Sequence, residues 1–305
     1  MAEVAIDRLR ADIVEVGRRL YGRGFCASND GNISIRFAPD RVLTTPKNVS
    51  KGYMTPDMMV VVDIDGKKVA GDRDASSELL MHLEVYRQRP DVNAVVHAHP
   101  PLATGFAVAG VPLDRAVLAE VICTLGSIPI VDYATPSTPE LPAAVRQYIK
   151  AHDGLLLANH GALTVGGDLF AAYYKMETIE HFAKISLVAR MLGGENLISR
   201  EEVMRLQALR GTYGIKAPAP ICLDPDVAGQ SAQVVVAGPG ESQDDATCQT
   251  VQAPAGTGMR LVPDLIDAHR RASGEGRRAA GDEAEIRLTY RELSALIEDA
   301  IKSLR

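Results

Sequence analysis

Two apolar runs, each ending in histidine at a turn, constrain this chain more than any other feature. Ala94-Val95-Val96 leads into His97-Ala98-His99 ahead of a Pro-Pro pair, and Leu155-Leu156-Leu157-Ala158 leads into Asn159-His160-Gly161. Short apolar runs bounded by turn residues read as buried strands. Residues i and i+2 of a strand share a face, so His97 and His99 can reach one ion. Three neutral imidazoles with one position left open make a catalytic zinc pattern rather than a closed structural one. The histidine pair alone would fit a packed core as well. The metal reading is carried by all three standing where a strand meets a turn, the usual place for ligands and catalytic groups in α/β proteins. A carboxylate, Glu78, stands nearby in Ser76-Ser77-Glu78. His82 and His181 lie in helical patterns, His152 in a polar turn and His269 in the tail, so these four read as surface or packing residues.

With 305 residues the chain can hold one sizeable domain plus an extension, or two small domains. A net charge of −6 argues against a nucleic-acid or anionic-membrane partner, which would favour a basic face. Cys26, Cys123, Cys222 and Cys248 form no C-x-x-C pair and read as free thiols of a reducing compartment. The start, Met1-Ala2-Glu3-Val4, carries no basic region followed by an apolar one. No stretch reaches the roughly 18 apolar residues of a membrane span. The expectation is a soluble, cytoplasmic protein.

Periodicity predicts a helix over 3–22, with Val4, Leu9, Ile13, Val16 and Leu20 at helical spacing. Strands are expected at 33–37, 42–45 and 59–64, the last closed by an Asp65-Gly66 hairpin signal. A helix beginning at Ser76-Ser77 and running to about Gln88 would have its free N–H groups capped by the serine oxygens. Strands at 94–99 and 154–158 and helices at 169–192 and 199–210 follow. Interleaved strands and helices with hairpin signals predict a mixed α/β layer fold with much antiparallel pairing. Beyond Tyr213-Gly214 the texture changes. Residues 215–260 are rich in Pro, Gly, Ala, Ser and Gln and read as a flexible linker between a catalytic domain (1–214) and a short helical tail (261–305). In that tail Thr289-Tyr290-Arg291-Glu292 is a capping-box pattern, and Leu293, Leu296, Ile297, Ile301 and Leu304 form one stripe.

Gly31-Asn32-Ile33-Ser34, Ser76-Ser77-Glu78, Ala94 to His99, Asn159-His160-Gly161 and Thr212-Tyr213-Gly214 together resemble the class II aldolase/adducin head family, across residues 3–214. The resemblance implies a three-layer α/β/α fold around a mostly antiparallel sheet, and a homotetramer with active sites at subunit interfaces. It implies His97, His99 and His160 as Zn²⁺ ligands, and Glu78 as both a ligand at rest and the proton-transferring base. Glu78 read alone would be a helix N-terminal acid favoured by the dipole. The resemblance also implies phosphate binding by Asn32, Ser76 and Ser77 and by the loop Thr45-Pro46-Lys47-Asn48. There this chain departs from the usual Thr-Pro-Thr/Ser-Gly. Asn48 tolerates positive φ in place of Gly, and Lys47 offers a charge to a phosphate or a carboxylate. Tyr213 matches a tyrosine of the closing C-terminal segment. A second family tyrosine, the acid of the neighbouring subunit, has no match; Ala116 falls near its place, leaving Tyr133 and Tyr213 as candidate donors.

The activity implied is zinc-dependent cleavage of a ketose 1-phosphate, of the fuculose or rhamnulose type, to dihydroxyacetone phosphate and lactaldehyde. Decarboxylation and pentulose-phosphate 4-epimerisation use the same three histidines in relatives, and a non-catalytic scaffold is the remaining alternative. A linker ending in an amphipathic helix also resembles the peptides that carry enzymes into bacterial microcompartments, with a shell protein as partner.

Overall fold

The computed structural model describes residues 2–212, 215, 219–222 and 234–235. Tyr213, most of the 215–260 stretch and the tail 261–305 lie outside the described residues.

The sheet is built from β1 (Asn32–Ala38), β2 (Arg41–Thr44), β3 (Val60–Asp63), β4 (Lys68–Ala70), β5 (Ala94–Ala98), β6 (Ile130–Val131), β7 (Gly154–Leu157) and β8 (Gly161–Gly166). Its order is β4-β3-β2-β1-β5-β8-β7-β6. Every pairing is antiparallel except β6 with β7. The β3–β4 hairpin turns at Asp65-Gly66, with Gly66 at φ 87° and Asp63 Oδ1 accepting the Asp65 and Lys67 amides.

Helices cover both faces, which is why β5 is buried along its whole length and reads as a continuous apolar run. On one face Ala94, Val96 and Ala98 pack with α1 (Ala2–Gly22), α3 (Pro101–Ala109), α4 (Ala119–Thr124) and α6 (Leu169–Met191). On the other, Val95 packs with α2 (Leu79–Gln88) and α5 (Glu140–Arg146). Each fully buried Val or Leu in these layers contributes roughly 1.5–3 kcal/mol. The alternation sends His97 to the α2 face, along with Val95 and, on β1, Asn32 and Ser34. α7 (Arg200–Thr212) packs on α4 through Val203 and Ile122. Among the described residues no helix is long and apolar enough to cross a membrane.

The structure differs from the sequence expectation in several places. α2 begins at Leu79 rather than at the serines, and neither serine caps it; Ser76 Oγ accepts the amide of Glu78, the residue before the helix, at 3.3 Å. Four elements, α3, α4, β6 and α5, fill the interval 100–153, where no periodicity announced them. α3 is apolar nearly all round, so it has no polar face to set a helical period; it starts at Pro101 and stops at Gly110, φ 68°. Finally, Ala219, Pro220 and Ile221, at the start of the expected linker, are buried. The Pro220 carbonyl accepts from the Ser127 amide at 2.8 Å and the Ala219 carbonyl from Gln207 at 3.0 Å. A two-residue strand, β9 (Ile221–Cys222), pairs with β10 (Val234–Val235). Segments this short leave no periodic trace in a Pro-rich stretch.

Candidate active site

Sheet register assembles the site. β1 pairs with β5 so that Asn32 lies beside His97. β5 pairs with β8, placing Ala98 beside Ala162, and β8 pairs with β7, placing Gly161 beside Leu157. The β7–β8 hairpin therefore turns through Ala158, Asn159 and His160 at the edge where β5 delivers His97 and His99. Asn159 makes that turn possible with φ 54°. Gly161 must follow, because a Cβ there would lie 2.5 Å from His99 Cδ2 and 2.6 Å from the Ala98 carbonyl oxygen. The three rings stack edge-on with centroids 4.7, 5.0 and 5.1 Å apart.

Hydrogen bonds set the tautomers. A carbonyl only accepts, so His97 Nδ1–H donates to Ala162 O at 2.9 Å and its Nε2 presents a lone pair inward. His99 Nδ1 stands 3.3 Å from Asp30 Oδ2, which likewise leaves Nε2 facing the site. The two inward atoms, His97 Nε2 and His99 Nε2, are 3.1 Å apart. Two lone pairs at that distance repel unless a cation lies between them, and two nitrogens on one tetrahedral zinc stand roughly 3.3–3.4 Å apart. One ligand atom from each of His97, His99 and His160 falls within 4.8 Å of the others. The donor set and spacing fit one ion.

Glu78 closes the fourth side. Its Oε1 is 3.1 Å from His160 Nε2 and its Oε2 is 3.4 Å from His97 Nε2. Asn32, 3% exposed, donates through Nδ2 to Oε2 at 2.7 Å. Burial opposes charge on Glu78, but the facing His97 and His160 rings and the Asn32 amide outweigh it and hold the carboxyl well below the usual carboxylate range. Burial drives His97 down to about 3 despite that carboxylate. His99 is lowered by burial and then by His160. A neutral imidazole set beside an ionised carboxylate is what a divalent cation requires.

The loop Thr45-Pro46-Lys47-Asn48 and the α2 entry are joined by backbone. Thr45 O accepts the Ser76 amide at 3.2 Å, and Lys47 N–H donates to Asp74 O at 2.9 Å. Thr45 itself is fully buried, with Oγ1 accepting the Ile33 amide at 3.1 Å, so its side chain ties the loop to β1. Lys47 and Asn48 are exposed, and Asn48 adopts φ 58°. Ser77 is exposed and Ser76 half-buried. Ala116 is buried among Ile122, Val203 and Ile221, so no acid stands there. Tyr133 is 63% exposed on the loop after β6. Tyr213 lies outside the described residues.

Sequence reasoning missed three supports. Asp30 passed as part of a turn. Lys51, only 1% exposed, shows no periodic or motif signal. Ser34 Oγ lies 2.7 Å from both His82 Nδ1 and Tyr86 OH beneath the site. Packing accounts for His82 and His152, both 1% exposed, while His181 is exposed.

A three-layer fold carrying an inward-facing His₃–Glu cluster defines a metal-dependent enzyme of the aldolase type. The chain belongs to the family of class II aldolase and adducin N-terminal domains, whose sequence profile matches residues 11–187. It is 32% identical over 181 residues to an L-fuculose phosphate aldolase of Methanococcus maripaludis, covering 59% of this chain and 97% of that one. It is 30% identical over 178 residues to a 3-oxo-tetronate 4-phosphate decarboxylase of Haemophilus influenzae, covering 57% and 84%. A solved L-fuculose 1-phosphate aldolase superposes with TM-score 0.62 at 29% identity, covering 67% of this chain and 95% of that one.

Proposed function

We propose that this protein is a zinc-dependent aldolase that cleaves a ketose 1-phosphate of the fuculose or rhamnulose type into dihydroxyacetone phosphate and lactaldehyde. The observation that carries the reading is the convergence of His97, His99, His160 and Glu78 on one point. These four residues would hold the ion. When bound, it supplies Lewis-acid stabilisation of the charge that carbon–carbon cleavage leaves on the three-carbon half.

The protein's own groups do the rest. Glu78, ionised and aimed by the Asn32 amide, moves the proton between the substrate hydroxyl and the carbon left by cleavage. Lys47, Ser76 and Ser77 bind the phosphate beside the start of α2, whose free N–H groups favour an anion. Asn32, on the neighbouring strand β1, joins them in holding the phosphate. Tyr213, or Tyr133, hydrogen-bonds the hydroxyl oxygen that becomes the aldehyde's while Glu78 takes its proton. Sites at the interfaces of a cytoplasmic homotetramer complete the reading, with residues 261–305 docking on a microcompartment shell protein through the Leu293–Leu304 stripe.

Lys47 supports a second reading. A cation where the aldolase loop carries a neutral residue suits a carboxylate substrate, and the similarity to a decarboxylase points the same way. Product analysis decides between them. The zinc-loaded enzyme should release dihydroxyacetone phosphate from L-fuculose or L-rhamnulose 1-phosphate, and a chain ending at residue 260 should do so equally well. Carbon dioxide from a 3-oxo acid phosphate, with no aldol cleavage, would replace the aldolase by the decarboxylase.

A further inference from the structure

We infer that Asp30 is the orienting carboxylate of His99, held in place by a buried lysine clamp, and that it sets how tightly the three histidines hold their metal. This rests on the metal reading of the His97–His99–His160 cluster.

The three rings differ in what stands behind them. His97 Nδ1 is satisfied by a backbone carbonyl. His160 Nδ1 is buried with no hydrogen-bond partner among the described residues. Among the described residues, only His99 has an anion at its outer nitrogen, Asp30 Oδ2 at 3.3 Å from Nδ1. A carboxylate in that position fixes the tautomer, holds the ring in the plane the ion needs and raises the donor strength of the inward nitrogen.

The segment bearing Asp30 is built to stay put. Its amide donates to Ala27 O at 2.9 Å, and Ser28 takes up φ 51° to make the turn. The His99 amide donates to Phe25 O at 2.9 Å, so His99 is tied to this segment through backbone and ring alike. Lys51 then fastens the turn from below, its Nζ donating to Asn29 O at 2.9 Å and to Val49 O at 2.8 Å. An ammonium 1% exposed is tolerated only while those carbonyls stay in place, so the charge locks the turn to the loop that follows Lys47 and Asn48. Asp30 is thus a positioning residue acting through His99.

The test is zinc affinity of the full chain, stripped of metal and titrated against a chromophoric chelator. Asp30→Ala should weaken zinc binding about 10- to 100-fold, and Asp30→Asn, which keeps an acceptor without the charge, should fall between it and wild type. The melting temperature of each metal-free protein should be unchanged. Unaltered affinity in Asp30→Ala overturns the inference, as does a loss accompanied by a lowered metal-free melting temperature, which would assign Asp30 to folding. A wild type that binds no zinc overturns both this inference and the proposed function. A wild type that binds zinc tightly and cleaves no sugar phosphate overturns the proposed function alone.

Discussion

Gly161 shows how much of the site depends on one residue's lack of a side chain. A methyl there would meet His99 Cδ2 at 2.5 Å, the Ala98 carbonyl at 2.6 Å and His97 Cε1 at 3.3 Å. Two of those three atoms belong to histidines proposed to hold the metal, and the third is backbone that cannot yield cheaply. Gly161→Ala should therefore displace the rings and weaken zinc binding by at least tenfold, about 1.4 kcal/mol, while the β7–β8 hairpin persists. Zinc titration with circular dichroism on the same sample checks this; wild-type affinity in the variant would show that the rings have room the structure denies them. The histidines were legible in the sequence because strand parity and a strand-to-turn junction both leave marks on it. Asp30 and Lys51 were not. Their partners are an imidazole nearly seventy positions away and two backbone carbonyls, and carbonyls have no sequence signature.

Elements were readable to the extent that they have two unlike faces. α1 and α6 span 21 and 23 residues, long enough to be read over several turns, and in the structure Asp168 caps α6 by accepting the Ala171 amide. The β1–β4 meander announced itself through alternation and a Gly66 turn. The interval 100–153 did not, because α3 is apolar all round, while α4 has six residues and β6 two. β8 was hidden for a related reason. All six of its residues, Gly161–Gly166, are buried, so it shows no alternation, and it directly continues the turn that carries His160. The three histidines were thus visible before the strand that brings His160 beside His97.

At the scale of the whole molecule, a sheet covered on both faces leaves polar side chains sealed inside, and these govern its response to acid. His82 and His152 are each driven by burial from an ordinary value of 6.5 to about 4. In the unfolded chain both regain the ordinary value, so between those limits the unfolded state binds more protons. Stability should then fall as pH drops from about 6.5 toward about 4, by ~1.4 kcal/mol per group per pH unit, and level off below. Denaturant unfolding of metal-free protein at pH 7 and pH 5 measures this; equal or greater stability at pH 5 would mean that these histidines are not held neutral.

The same layering presents three imidazoles and a carboxylate at one sheet edge, which is the central claim. The most direct test is bound zinc per subunit measured together with dihydroxyacetone phosphate release from L-fuculose 1-phosphate, for wild type and for His97→Ala. One zinc per subunit and sugar-phosphate cleavage in the wild type, both lost in His97→Ala, is the predicted result. Zinc and cleavage retained by His97→Ala, or a wild type that binds no metal, would contradict the account.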